Sequence, residues 1–173
     1  MKKLIITFLL PFTLLTFFTA QAGVASKDKA DFVLSLIDKV EWPNGTDANT
    51  GGEFVITVIG NCDYMDALTS GAAAIAGKKI VVKTAGIDED FSQTQMLLIA
   101  TTELSDLAKI LKKVKAKPVL TVTESKGFAR YGVMVELITD GTKIEYVINK
   151  MSAKEVSLTI NSKLVDKAKT TYG

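Results

Sequence analysis

Apolar residues along the chain occur either at helical spacing or in short continuous runs, and the two patterns predict helices and strands in turn. From 27 to 40 the apolar positions recur at helical spacing around more than half of the circumference. This predicts a largely buried first helix. Helical geometry is disfavoured at the residue before Pro43, and Asn44-Gly45 adds a turn signal, so the helix is expected to end near Trp42.

Short apolar runs rich in β-branched residues predict strands that alternate with helices. The predicted strands are 54–59, 80–82, 96–100 and 119–122. Helical patterns at 64–68 and 104–114 lie between them, and the inner face of the second is expected to consist of Leu104, Leu107, Leu111 and Val114. This alternation favours a mainly parallel sheet with helices on both faces.

The last part of the chain changes to an antiparallel pattern. Apolar residues at 133–138 and 143–148 flank Asp140-Gly141, which predicts a tight hairpin. The remaining predicted elements are a short helix at 151–156, an extended segment at 158–160 and a terminal helix at 164–168. The sequence therefore predicts an α/β fold, a three-layer sandwich with a mixed, mainly parallel sheet and a C-terminal antiparallel hairpin.

The first residues have the order of a signal peptide. Lys2 and Lys3 precede an apolar run at 4–18, and small residues follow at Ala20 and Ala22, so cleavage is expected after Ala22. The alternative is an uncleaved membrane anchor, but an apolar run of about 15 residues is shorter than the roughly 20 that span a bilayer. We expect a signal peptide at 1–22 and a single periplasmic α/β domain at 23–173.

The predicted mature chain has no net charge and no histidine. Loss of Lys2 and Lys3 leaves 19 of the 21 basic residues beside 19 acidic ones. A neutral domain has little electrostatic drive toward nucleic acid or an anionic membrane surface, so neither is an expected partner. Because histidine is the commonest general base and metal ligand, we expect no enzyme activity, no metal site and no cofactor.

Two local features leave an alternative open. Cys62 is the only cysteine; a lone cysteine beside an apolar strand is more often buried, but pairing between chains in an oxidising compartment would give a homodimer. Ser125-Lys126 is the one pair that a hydrolase could use, although adjacent residues on a loop are usually solvated turn residues. Burial and a solvated turn are the expected outcomes.

Polar residues follow the predicted parallel strands, where open α/β sheets bind ligands. The residues concerned are Asn61, Asp63, Thr102, Glu103, Thr123 and Glu124. One interpretation is a shallow pocket for a small ligand or a partner. The alternative that we favour is that Asp63, Thr102 and Glu103 only cap the helices that follow and complement their dipoles, with Asp63 as one N-cap.

The segment Glu41-Trp42-Pro43 is the most distinctive short motif of the sequence. A large aromatic residue at a helix end, followed by a rigid proline, either fills the core or presents an anchor to a partner. Core burial is the expected outcome. A contact role stays open because tryptophan is rarely buried completely and a polar loop follows.

The order of several short segments resembles the YfiR-like periplasmic proteins of the YfiR/HmsC type, from about Phe32 to Ala168. Each segment is a weak signal alone, but their order and spacing are specific. The segments are 39–43, 54–60, 77–80, 119–122, 127–129 with Gly132, 148–149 and 158–164. Phe128 in the fifth segment joins the candidate contact residues.

The resemblance implies a non-enzymatic regulator that binds the periplasmic part of a membrane-bound diguanylate cyclase and holds it inactive. Cyclic-di-GMP signalling and biofilm formation would then fall. It also implies a second partner, an outer-membrane or peptidoglycan-associated protein that releases the cyclase. Prominent members carry paired cysteines, so an internal disulfide switch is not expected with Cys62 alone. The alternative function is a periplasmic small-molecule-binding sensor.

Overall fold

The computed structural model describes residues 24–43 and 52–173. The predicted signal peptide and the Asn44-Gly45 turn lie outside the described residues. Within the described ranges, none of the helices combines the length and the apolar character that a membrane span requires.

Helices and strands alternate along most of the described chain. The α-helices are α1 (Ser26–Ser35), α2 (Met65–Ala74), α3 (Leu104–Val114), α4 (Lys150–Glu155) and α5 (Ser162–Asp166). The strands are β1 (Val40–Glu41), β2 (Glu53–Gly60), β3 (Lys79–Ala85), β4 (Met96–Ala100), β5 (Leu120–Thr123), β6 (Val135–Asp140), β7 (Lys143–Asn149), β8 (Thr159–Ile160) and β9 (Thr170–Tyr172). The described residues also include the 3-10 helices Leu36–Asp38 and Phe128–Tyr131.

The main sheet has seven strands in the order β3-β2-β4-β5-β6-β7-β9. The first five strands are parallel to one another, β7 is antiparallel to β6, and β9 is parallel to β7. The predicted mixed, mainly parallel sheet is therefore confirmed. Because β2 lies between β3 and β4, the direction in which the sheet grows reverses between β2 and β4, which makes this pair the topological switch point.

Helices cover both faces of the sheet, which confirms the three-layer architecture. Side chains along β4 alternate between the faces, since successive residues of a strand point to opposite sides. Met96 and Leu98 belong to a core beneath α1 and α2, whereas Leu97 and Ile99 belong to a second core beneath α3. A central sheet with an apolar core on each side results.

The first helix is shorter than its periodicity predicts. It continues only as a 3-10 helix through Asp38, and Val40 and Glu41 form β1 instead. The prediction of one helix over 27–40 is therefore wrong at its end. The physical reason is pairing with the far end of the chain: Val40 is aligned with Ile160 and Glu41 with Thr159 in a small antiparallel sheet.

The predicted inner face of α3 is also partly wrong. Leu104 is 49% exposed, whereas Ile110, which was not assigned to that face, is fully buried beside Leu107 and Val114. The helix is therefore rotated relative to the predicted leucine stripe.

The predicted hairpin is confirmed. Asp140 is paired with Lys143, and Gly141 between them has a φ of +59°, a conformation that glycine adopts without strain. The helices predicted after the hairpin also form, with shifted ends. The final strand β9, which the sequence did not predict, adds to the edge of the sheet beside β7.

Candidate functional site

A cavity of about 390 Å³ opens at the carboxyl ends of β2, β4 and β5. It spans the topological switch point, where open α/β sheets bind their ligands. The structure brings together here the polar residues that the sequence predicted after these strands. Those that line the cavity are Asn61, Asp63, Thr102, Thr123 and Glu124.

Gly60 allows the strand ends beside this cavity to come close together. Its φ is +87°, and a Cβ atom at this position would lie 2.8 Å from the carbonyl oxygen of Ala100, which lines the cavity. Both the backbone conformation and the close approach therefore require glycine at the end of β2.

Lys29 of α1 links two of the strand-end loops. Its side chain is 10% exposed, and its Nζ lies 3.0 Å from Asp63 Oδ2 and 2.9 Å from Glu124 Oε2. The same ammonium lies 5.5 Å from the centre of the Tyr64 ring. Desolvation lowers the pKa of Lys29, but its hydrogen bonds to Glu124 and Asp63 outweigh that effect, so the pKa is raised overall.

The prediction that Asp63 caps the second helix is wrong. The N-cap of α2 is Tyr64, and no side chain accepts a hydrogen bond there. The carboxylate of Asp63 accepts from Lys29 instead.

The same interpretation fails at α3. Its N-cap is Glu103, whose side chain makes no capping hydrogen bond. The nearest side-chain acceptor is Thr101 Oγ1, which accepts from the Glu103 N–H at 3.2 Å. The expected capping by the side chains of Asp63 and Glu103 is therefore wrong.

Cys62 and Tyr64 lie on the wall of the cavity and carry no charge at neutral pH. Burial raises the pKa of the Cys62 thiol. Burial also raises the pKa of Tyr64, and the neighbouring Cys62 and Glu124 raise it further. Cys62 is only partly buried, because it packs against the first core and also lines the cavity; a protonated thiol is a poor nucleophile.

Ser125 and Lys126 have the geometry of a turn. The Ser125 hydroxyl donates to the carbonyl of Thr101, and the Ser125 N–H donates to Thr123 Oγ1 at 3.0 Å. Lys126 is exposed. The residues at 24–43 and 52–173 also contain no group of three or more Cys, Asp and Glu side chains placed to hold a metal ion.

Trp42 of the segment Glu41-Trp42-Pro43 lies near the amino ends of β2 and β4, opposite to the ends that form the cavity. Trp42 is 6% exposed and meets Phe54 edge to face, with 5.1 Å between ring centres. Its Nε1 donates to the carbonyl of Gln95 at 3.4 Å. The expected core burial is confirmed, and only Glu41 of the three is exposed. The candidate contact residues therefore do not form one site.

Phe128 is not among the residues that line the strand-end cavity, and its side chain is buried in the second core. It belongs to the 3-10 helix Phe128–Tyr131, which borders a second cavity of about 760 Å³. This cavity, called the Tyr131 groove below, lies between α3, the 3-10 helix and α4. Its lining includes Leu111, Lys112, Lys115, Tyr131, Glu155 and Val156.

Sequence reasoning missed the Tyr131 groove, although glycines on both sides of the 3-10 helix were a signal for it. Gly127 and Gly132 have φ values of +87° and +110°. Glu136 of β6 is 3% exposed and accepts hydrogen bonds from the N–H groups of Gly127 at 2.8 Å and of Ala129 at 2.9 Å. Asn149 Nδ2 donates to the carbonyl of Ala129 at 2.8 Å.

The fold and the strand-end cavity define a three-layer α/β domain with a ligand-type crevice at its topological switch point. Within that class, the chain belongs to the YfiR/HmsC-like family, which matches residues 26–169. This is a family of periplasmic regulators that act through protein–protein interaction and not through catalysis. No curated protein matches the chain in sequence.

Two solved structures are similar in fold. The ABC domain from Streptococcus pneumonia, solved in complex with L-Trp, is 10% identical with a TM-score of 0.57, and the match covers 84% of this chain and 60% of that one. A conserved domain protein from Vibrio cholerae O1 biovar El Tor is 13% identical with a TM-score of 0.56, covering 86% and 60% respectively. This chain therefore spans 60% of each neighbour, and the likeness shows the fold alone.

Proposed function

We propose that this protein binds the periplasmic part of a membrane-bound diguanylate cyclase and holds the enzyme inactive. The observation that carries the proposal is the family match over residues 26–169. Less cyclic-di-GMP is then made, and biofilm formation falls. An outer-membrane or peptidoglycan-associated protein is the proposed second partner, which releases the cyclase.

Export places the protein where such a contact is made. The order of Lys2, Lys3, the apolar run and the small residues up to Ala22 supports a cleaved signal peptide. The region matched by the family begins at residue 26, just after this segment. The mature chain is thus proposed to act in the periplasm.

Action by contact and without a cofactor is supported by the chemistry of the strand-end cavity. The chain has no histidine. The two carboxylates that line the cavity, Asp63 and Glu124, both bind Lys29. A carboxylate acting as a general base in this cavity would have to be one of these two groups, which already hold α1 against the strand-end loops.

Deleting the gene and measuring cellular cyclic-di-GMP tests the proposal. The level is expected to rise, and expression of the full chain from a plasmid should restore it. A version without residues 2–22 serves as the control, because it stays in the cytoplasm and should not restore the level. An unchanged level, with no diguanylate cyclase co-purifying with the tagged protein, contradicts the proposal.

The strand-end cavity favours a second candidate function, a periplasmic sensor of a small molecule. Its volume of about 390 Å³ lies within the range of ligand pockets, and it spans the switch point. L-Trp is a reasonable first probe, because the fold neighbour from Streptococcus pneumonia was solved with it.

Thermal unfolding of the purified mature chain with free amino acids tests this second candidate. A ligand present at about 100 times its dissociation constant adds roughly 2.7 kcal/mol to the stability of the folded state. The double variant Asp63→Asn/Glu124→Gln should lose the upward shift of the melting temperature. The absence of any shift with L-Trp and the other amino acids counts against a sensor of this class.

A further inference from the structure

The turn that carries Tyr131 is held in place by buried polar groups. Both carboxylate oxygens of Glu136 accept backbone N–H groups of the turn inside the second core, and Asn149 binds a carbonyl of the same turn. A buried carboxylate is costly unless its oxygens are hydrogen-bonded. The fold therefore keeps Glu136 inside a core, and the hydrogen bonds of its side chain fix the backbone path of the turn at Gly127 and Ala129.

What this turn presents to solvent is an aromatic ring. Phe128 and Ala129 point into the core, with exposures of 4% and 0%, whereas Tyr131 is 59% exposed beside the groove. A tyrosine on a rigid backbone loses little conformational entropy when it binds a partner. Exposed aromatic residues of this kind, placed beside a pocket, are the typical anchors of protein interfaces.

The edge of the Tyr131 groove carries more positive than negative charge. Lys112 and Lys115 line it from the end of α3, Arg130 is exposed on the turn itself, and Glu155 of α4 is the acidic residue in the lining. The apolar residues that line the Tyr131 groove include Leu111, Val114 and Val156. Charge complementarity therefore favours an occupant with apolar side chains flanked by carboxylates.

A second copy of the chain fits the groove less well than such a partner. In a symmetric dimer the same patch faces itself, so two surfaces that each carry more lysine than acidic side chains would meet. Juxtaposed like charges oppose association. An acidic segment of a different protein has no such conflict.

We propose that the Tyr131 groove is a docking surface for an acidic segment of a partner protein. An apolar side chain of that segment packs against Tyr131, and its carboxylates lie near Lys112 and Lys115. This inference rests on the proposed function, because the groove would be the surface through which the regulator holds its partner.

Photo-crosslinking in the native cells tests the docking surface. The full chain carries Tyr131→benzoylphenylalanine, and the cells are irradiated before the adducts are identified by mass spectrometry. The expected result is one main adduct to a different protein, at a peptide rich in Asp and Glu. The matched control is Leu104→benzoylphenylalanine, at an exposed residue at the other end of α3, which should not give this adduct.

Charge reversal provides the second measurement. Adding Lys112→Glu/Lys115→Glu should lower the yield of the adduct about tenfold, since the rim then repels the acidic segment. Lys83→Glu/Lys143→Glu changes the net charge equally at exposed lysines outside the groove lining and should leave the yield unchanged. Equal melting temperatures of the purified variants show that folding is preserved.

Several outcomes overturn the inference: no adduct at position 131, an adduct only to a second copy of the chain, or a yield that charge reversal does not change. If gene deletion raises cyclic-di-GMP but Tyr131 forms no adduct, the docking surface is wrong and the proposed function stands. If the adduct forms with a protein that has no cyclase domain and cyclic-di-GMP does not respond to deletion, the groove stands and the proposed function is wrong.

Discussion

Two aromatic residues, Trp42 and Tyr131, have opposite environments in this protein. Trp42 directly follows β1 and is 6% exposed, whereas Tyr131 ends the 3-10 helix Phe128–Tyr131 and is 59% exposed. The difference arises from what lies over each ring. Pairing of β1 with β8 holds the segment before Trp42 against the rest of the fold, and its ring meets Phe54.

At the turn that carries Tyr131, other side chains already fill the buried positions. Phe128 and Ala129 fill the core beneath the turn, and the left-handed conformation of Gly132 directs the chain into β6. Tyr131 therefore remains at the surface. The comparison shows that an aromatic residue at the end of a short element is not in itself a sign of a contact surface, because the tertiary neighbours decide its burial.

Replacing the buried ring should have the largest effect on stability. Trp42→Ala removes a large core side chain and leaves a cavity against Phe54, so the free energy of unfolding is expected to fall by about 3–5 kcal/mol. Urea unfolding of the mature chain measures this loss. Trp42→Phe keeps most of the ring volume and should lose much less. A loss below about 1 kcal/mol for the alanine variant would show that the ring is not core.

Removing the carboxylate that holds the Tyr131 turn should have the next largest effect. Glu136→Ala leaves the N–H groups of Gly127 and Ala129 without their acceptor, and the expected loss of stability is about 2–3 kcal/mol. Glu136→Gln keeps one acceptor oxygen and should lose less than the alanine variant. Equal stability of Glu136→Ala and the wild type in urea would mean that the turn does not depend on this carboxylate.

Much of the fold could be predicted from local patterns. The buried strands 96–100 and 119–122, the Asp140-Gly141 hairpin and the three-layer class follow from apolar runs and turn residues. The missed strands β1 and β9 pair with segments that are distant in the sequence or lie at a sheet edge. Local periodicity carries no signal for such pairing, since strand formation there depends on the neighbouring strand.

The candidate site was predicted in part. Because the carboxyl ends of parallel strands lie side by side, Asp63 and Glu124 could be predicted to lie close together, and both line the same cavity. The role of Lys29 could not be predicted, because its place on a helix says nothing of the loops that its side chain reaches. The Tyr131 groove depends on Glu136, which reads in the sequence as an ordinary polar residue in a strand.

Alkaline pH should lower the stability of the protein through Lys29 and Tyr64 at the strand-end cavity. This effect should be smaller than that of the core variants. The pKa values of Lys29 and Tyr64 are raised in the folded state, so the native protein holds these protons more tightly than the unfolded chain. Their contribution to stability is complete below the unfolded pKa values, 10.5 and 10.0, and is lost as the pH rises above them. The melting temperature should therefore be nearly constant at neutral pH and fall above about pH 10.

The variant Tyr64→Phe distinguishes the contribution of the Tyr64 phenol to the pH dependence from that of the Lys29 ammonium. The variant has no phenol to titrate, so its melting temperature should fall less steeply with alkaline pH than that of the wild type. The matched control is Tyr131→Phe, which removes a phenol that lies outside the strand-end cavity. Identical slopes for all three proteins would exclude Tyr64 as a source of the pH dependence.

Removing the exposed ring should have the smallest effect on stability. Tyr131→Ala takes away a side chain that remains largely in water when the protein folds, so the free energy of unfolding should change by less than about 0.5 kcal/mol. Measured in the same urea series as Trp42→Ala, this result would separate an aromatic residue that holds the fold from one that is available for contact. Gly132→Ala is a useful companion, because its φ of +110° strains any side chain and a Cβ atom would lie 3.4 Å from Leu111 Cδ1. If Tyr131→Ala is as destabilising as Gly132→Ala, the ring itself supports the turn, and the contrast with Trp42 fails.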